Sequence, residues 1–304
     1  METWKRTVYI SLVCVFCTAF GVSQLAPILP LYFHDLGVQT PEAMSLWSGL
    51  ATGATYIIVC LAAPFWGRVA DKKGRKITLI RSSFGMALCN ILIAFQTTPE
   101  GVVLIRLVQG LVSGFYSASI TLIASESPIE RTGWALGLLA SANLAGSLIG
   151  PLLGGYIADT VGIRNDFIIV GALMGLAGVM ATIFIHENYV PQPNPEKLSI
   201  RKLKEQIPEF NSIVALCVAS FIYAICIMSL QPVISVYIKG IVPSDTENLA
   251  FIAGAVFSAM GIAQLMSSSP LGKLVDKIGP RKVLVVSLIY VGILNIPQAY
   301  VSDV

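Results

Sequence analysis

Nine stretches of the chain, roughly 8–32, 46–66, 78–96, 101–122, 133–157, 165–185, 210–238, 248–270 and 282–300, are apolar over about the 20 residues that a helix needs to cross a bilayer. No other feature restricts the fold as much. Inside hydrocarbon every backbone N–H and C=O must be bonded within the protein, so runs of this length read as helices. A hydrophobic share of 55% and a mean hydropathy of +0.76 are more than a soluble domain could bury. The expected fold class is therefore an all-α integral membrane protein. The first run is too long for the core of a signal peptide and lacks a convincing cleavage site, so it reads as an uncleaved span.

The charged residues orient these spans. Seventeen of the 20 Lys and Arg residues fall at one side, in the N-terminus and in the segments after the even-numbered spans. Arg164 and Lys239 fall at the other side, and Arg106 lies within a span. Positive residues stay cytoplasmic, which puts the N-terminus inside. The expected location is the cell (plasma) membrane. The net charge of +3 gives no reason to expect a nucleic-acid partner.

One basic loop is more than an anchor, because its pattern recurs. Gly67-x-x-x-Asp71-x-x-Gly74, followed by Arg75-Lys76, returns as Gly272-x-x-x-Asp276-x-x-Gly279 with Arg281-Lys282 behind it. The copies follow the second and eighth spans, which implies a six-span unit repeated in parallel. The expected organisation is a six-helix transmembrane bundle over 1–185, a cytoplasmic linker over 186–209, and the first half of a second bundle over 210–304. Three prolines in five positions and a basic amphipathic stretch mark the linker. A six-plus-six arrangement would need three further spans, so the expectation is a C-terminally truncated form with about nine of twelve spans visible.

Three motifs give the chain its resemblance to the major facilitator superfamily, and within it to the twelve-span drug/proton antiporters. The first is the repeated loop. The resemblance implies that Gly67, Asp71, Gly74, Arg75 and Glu126, the acid in "IASESP", form a latch between the two domains in the outward-facing state. On the residues alone, Gly67 suits close packing and Gly74 an unusual turn. Asp71 and Arg75 would be an i,i+4 pair if the loop is helical. The second copy has Pro280 inserted before Arg281, which would weaken its latch.

The second motif is Arg106-x-x-Gln109-Gly110. A charge in hydrocarbon costs about 2.5 kcal/mol or more and reads as functional by default. Arg106 lies about 8 Å below the outer end at the helical rise, near enough to snorkel instead. The resemblance associates Arg106 and Gln109 with proton transfer. The third motif is Gly146-x-x-x-Gly150-Pro151-x-x-Gly154-Gly155. With Ala142, positions 142, 146, 150 and 154 form one smooth helical face. Ala250, Gly254 and Ser258 offer a matching face in the eighth span. The resemblance makes this motif a mark of proton-driven antiporters and places the fifth and eighth spans against each other across the domain interface.

Helix order in that superfamily also offers cavity candidates: Gln24, Gln109, Phe115, Tyr116, Tyr223, Met228 and Gln231. Some relatives carry an embedded acid in the first or seventh span, where this chain has Gln24 and Gln231. No visible span offers a carboxylate at mid-depth. Asp35 sits at an outer edge, so a coupling acid is peripheral or outside this sequence.

The expected function is export of small amphipathic drugs by proton antiport through alternating access. The alternatives are a metabolite or sugar transporter of the same superfamily, or a truncated remnant that does not transport. No phosphate-binding loop appears, so the proton gradient is the expected energy source and no cofactor is expected. Expected partners are the substrates, protons and the lipid bilayer, with a monomer at full length. No paired acids or His cluster at one depth suggest an enzyme. The six cysteines lie within spans and read as packing residues, and His34 and His186 are too far apart in sequence to suggest a metal.

Overall fold

A computed structural model describes residues 3–187, 189, 210–241 and 248–298. Most of the expected linker lies outside the described residues. Among the described residues there is no strand, and eleven helices form nine rods. The first rod is α1 (Thr3–Ser23) with α2 (Leu25–Asp35), the second α3 (Pro41–Lys73) and the third α4 (Arg75–Ala94). The fourth is α5 (Pro99–Val112) with α6 (Phe115–Glu126), the fifth α7 (Ile129–Val161) and the sixth α8 (Ile163–Phe184). Then come α9 (Phe210–Ile241), α10 (Leu249–Ile278) and α11 (Pro280–Gln298). The first six rods and Leu249–Ser267 of the eighth are long and apolar enough to cross a membrane.

Local chemistry sets the rod ends. Thr40 and Thr98 accept from the backbone N–H three residues on, and Pro41 and Pro99 fill the first helical positions. At the repeated loop, α3 runs through Asp71 to Lys73, and Gly74 then turns with φ +90° before α4 begins. Gly279 does the same with φ +87°, and Pro280 takes the first position of α11. A side chain at either glycine would be strained, so the repeat is a repeat of conformation. Asp71 and Arg75 are thus separated by a turn and do not share one continuous helix. The inserted Pro280 suits its position, because its missing N–H is not needed there.

Two rods are broken, each for a stated reason. Pro27 cannot donate to the carbonyl of Ser23, and the first rod breaks at Gln24. The fourth rod breaks at Ser113–Gly114, where Gly114 has φ +115°. Its loose carbonyls are taken by the third and second spans. Arg81 donates to Leu111 (3.1 Å) and Ser113 (3.0 Å), and Trp66 donates to Leu111 (2.7 Å). Arg81 also stacks 3.5 Å over the Trp66 ring. Arg81→Ala is expected to lower stability by about 2–4 kcal/mol, from two lost charged hydrogen bonds. Lys in its place should restore little, since one ammonium cannot copy the fork. A thermal melt of the purified protein checks both.

The first six rods pack as a bundle, with the first against the fifth and sixth, the third against the sixth, and the second against the fourth. Its core has two end layers. Cys14, Leu79, Phe115, Leu122 and Leu139 belong to one; Ile28, Tyr32, Phe33, Val102 and Phe167 belong to the other. Phe20, Met86, Val170 and Met174 form a third cluster. The outer surface carries large apolar side chains such as Ile57, Leu61, Leu88 and Leu104. Exposed apolar area on this scale fits lipid rather than water.

Candidate functional site

The contact between the two halves is built on small residues and on freed backbone. A Cβ added to Gly155 would lie closer than 3.0 Å to the backbone of Ala250 and Phe251. One added to Gly254 would lie equally close to the carbonyl of Pro151. Helices α7 and α10 therefore touch backbone to backbone. Ser258 Oγ donates to the Leu148 carbonyl (2.6 Å). Asp159 accepts from the backbone N–H of Ala250 (3.2 Å) and Phe251 (2.7 Å). Its carboxylate thereby caps the first turn of α10, where N–H groups lack helical partners. Helix α9 joins at the same end. Ser235 Oγ lies 3.5 Å from the carbonyl of Ala26, which Pro30 leaves without its usual donor.

Burial along the second-half helices is uneven among the described residues. Ser235, Val236 and Ile238 are buried, while Val218, Phe221, Ile222 and Ile225 of the same helix are exposed. Ala250, Ala253 and Ser258 are buried, while Met260, Ile262, Leu265 and Met266 are exposed. Among the described residues the halves thus meet beside Asp159, and α7 and α10 remain in contact as far as Leu148 and Gly261.

This corrects one expectation about the fifth span. The face at Gly146, Gly150 and Gly154 does not meet the second half. Cβ atoms at Gly146 and Gly150 would collide with the backbone of Phe16 and Phe20, and one at Gly154 with the Gln24 side chain. That face holds the first span inside the first bundle. Pro151 and Gly155, turned to the other side of the helix, hold the eighth span. Along the eighth span, Ala250, Gly254 and Ser258 do lie in the seam.

The second motif folds inward. Arg106 is 6% exposed, and its Nη1 donates to Gln109 Oε1 (2.7 Å), while Nε is buried without a partner. Tyr56 and Cys89 are the titratable groups near it. The guanidinium therefore does not snorkel to the surface. Gly110 completes the motif by letting the fourth span reach the backbone of Thr55, and Thr55 Oγ1 donates to the Arg106 carbonyl (3.0 Å).

At the first loop, Gly67 has nothing within 4 Å of an added Cβ. Instead of packing closely, it lines a cavity of about 250 Å³ together with Trp66, Asp71, Arg75 and Arg81. Asp71 is exposed, and its carbonyl accepts from the Tyr189 hydroxyl. Glu187, which the sequence reading passed over, accepts from the N–H of Arg75 (2.7 Å) and Lys76 (2.8 Å) and so caps α4. Glu126 ends α6.

The cavity candidates divide. Gln24, Gln109 and Phe115 are buried inside the first bundle. Tyr116 is half-buried and Met228 is 36% exposed. The side chains of Tyr223 and Gln231 lie outside the described residues. Among the described residues no group of His, Cys, Asp and Glu could hold a metal ion.

Two further carboxylates escaped the sequence reading. One is Asp159, which looks like a loop acid until α10 is placed beside it. The other is Asp166, in the first turn of α8. It is fully buried, and Gln24 Nε2 donates to its Oδ2 (3.0 Å). The sequence signal was an acid at the second position of the run 165–185, which is otherwise free of charge.

Two helical bundles meeting along a small-residue seam, with buried polar groups in a membrane-length scaffold, define a multi-pass membrane transporter fold. The chain belongs to the Major Facilitator Superfamily, whose family model matches residues 11–303. It is 37% identical to the multidrug resistance protein MdtG of Proteus mirabilis (strain HI4320) over 302 residues, covering 99% of this chain and 75% of that one. It is 39% identical to MdtG of Dickeya zeae (strain Ech586) over 300 residues, covering 99% and 73%. Among solved structures, a bacterial homologue of the human lysosomal transporter Spinster matches with a TM-score of 0.68 at 13% identity. That match covers 92% of this chain and 64% of the other. A D-xylose–proton symporter matches with a TM-score of 0.64 at 16% identity, covering 90% and 68%. These two likenesses concern the fold alone. The chain thus spans about three quarters of the MdtG relatives' length and under two thirds of the Spinster homologue's.

Proposed function

We propose that the protein exports small amphipathic drugs in exchange for protons, by alternating access about the seam between its halves, and is not an enzyme. The observation that carries this reading is the close backbone seam at Pro151, Gly155 and Gly254. Close backbone contact between small residues, with no large side chains interlocked at these positions, suits two bundles that rock. The names of the MdtG relatives support drugs as the cargo, and the buried Arg106–Gln109 pair supports proton handling. The excess of Lys and Arg supports a cytoplasmic N-terminus. On that orientation the contact of Gly155 and Asp159 with Ala250 lies at the outer end.

In this reading residues 1–185 form the first bundle, 186–209 the cytoplasmic linker and 210–304 part of the second bundle. Gly67, Asp71, Gly74, Arg75 and Glu126 act as a latch in the opposite, outward-facing state. An exposed Asp71 is what a disengaged latch requires. In cells loaded with an ethidium-type dye, efflux should stop when a protonophore collapses the gradient. Asp71→Asn should slow efflux about tenfold, the scale of a lost conformational bias of 1–2 kcal/mol. Lys72→Gln should be mild. Equal effects from the two would reduce the loop to an anchor, and efflux indifferent to the protonophore would sink proton coupling.

A further inference from the structure

We propose that Asp166, paired with Gln24, is the proton-binding site of the exchange; this rests on the antiport reading above. Both side chains are fully buried, one in the first turn of α8 and the other at the break of the first span. One hydrogen bond joins them, from Gln24 Nε2 to Asp166 Oδ2 (3.0 Å). Each side chain then has one oxygen left over. Asp166 Oδ1 and Gln24 Oε1 are both buried without a partner. Two acceptors cannot satisfy each other. A single hydrogen on Oδ1 changes that, since it removes one orphan acceptor and offers a donor to the other. An ionised carboxylate at this place would rest on one neutral donor in an apolar layer that includes Leu25, Ile28 and Phe167.

No cation competes for the role among the described residues. Arg164, two residues before Asp166, lies 3.4 Å from the Gln96 carbonyl. On the fifth span, Asp159 is committed to the N–H groups of α10. On the first span, His34 and Asp35 are solvent-exposed, Tyr32 donates to the Ile93 carbonyl, and Cys14 donates to Ala177. From the third span, Arg81 is held at the break of the fourth, Cys89 lies near Arg106, and Arg75 and Lys76 sit at the opposite end. On the seventh span, Lys239 lies near Asp35.

The position couples the pair to the seam. Gln24 lies against Gly154, where a Cβ would come closer than 3.0 Å to its side chain, and the next residue, Gly155, touches Ala250. One turn of α7 thus stands between the pair and the contact of the two halves. The step is a plain proton transfer. Water gives H⁺ to Oδ1 while the seam is parted, closure holds it between Oδ1 and Gln24 Oε1, and Oδ1 returns it to water on the cytoplasmic side once Gln24 moves away. Proton uptake therefore favours the closed seam, as the return step of an antiporter needs.

The test compares the protein with Asp166→Asn in proteoliposomes. The amide imitates the neutral acid but cannot release a proton. Its gradient-driven dye accumulation should fall at least about tenfold, with a melting temperature close to that of the unsubstituted protein. The unsubstituted protein should show the infrared carbonyl band of a neutral aspartic acid, and the variant should lack it. Coupled accumulation in the unsubstituted protein that survives Asp166→Asn would overturn this assignment alone, as would absence of that band. Absence of any gradient-driven accumulation in the unsubstituted protein would overturn the antiport reading and this one with it.

Discussion

Gly155→Leu is expected to abolish dye efflux while the protein remains folded in the membrane. At this position the eighth span's backbone lies where even a Cβ would intrude. A leucine cannot be absorbed by rotamer changes, because the obstacle is the main chain of Ala250 and Phe251. The halves must separate at that end, and the Asp159 cap on α10 goes with them. Overpacking of about 1–3 kcal/mol on one state alone shifts the populations about 5- to 150-fold. The variant should therefore rest with the seam open. In a cysteine-free background, Ala250→Cys should react with an impermeant reagent from outside the cell, at least about tenfold faster when Gly155→Leu is added. Gly150→Leu should behave differently, because Gly150 meets Phe20 and Ser23 of the first span. Its cost should fall on the folding of the first bundle and on expression. Normal efflux by Gly155→Leu would mean that this contact never closes during transport.

Arg106→Ala should also remove transport, and it should do so without loss of stability. The guanidinium is 6% exposed, with one hydrogen bond to Gln109 and a buried Nε that has none. Such a group opposes stability. Removing it leaves Gln109 Oε1 unpaired, at about 1–3 kcal/mol, but it also removes a charge whose burial costs about 2.5–3.5 kcal/mol. The melting temperature should stay level or rise. Transport should fall roughly a hundredfold, the rate equivalent of that burial cost if the charge serves the exchange. Arg106→Lys should recover little, since a single ammonium cannot bond as the planar fork does. A drop in stability that matches the drop in transport would make Arg106 a structural residue only.

Length and hydropathy made the nine rods legible, because spanning a bilayer leaves little freedom in either. The rod ends were less legible. Hydropathy marks 46–66, but α3 continues to Lys73, since helix does not stop where the membrane does. It stops where Gly74 takes a positive φ. The break at Gln24 is written in Pro27 and the break after Val112 in Gly114, though neither interrupts the apolar run. Facing directions were the least legible. One helical turn separates Gly150, against the first span, from Gly154, against Gln24. Gly155, a single residue on, faces the second half. Asp166 shows the same limit. Its depth along the chain suggests the membrane edge, but α2 and Gln24 bury it completely. Which residues lie beside a side chain depends on the packing of other spans, and the local pattern does not carry that.

Transport by the purified protein in sealed liposomes tests proton-for-drug exchange most directly. With an acidic interior, a permanently charged ethidium-type cation should become more concentrated inside than outside, as protons leave in exchange. A protonophore should reverse that accumulation, and protein-free liposomes should show none. Dye that only equilibrates across the membrane, at the same rate with and without the gradient, would contradict antiport.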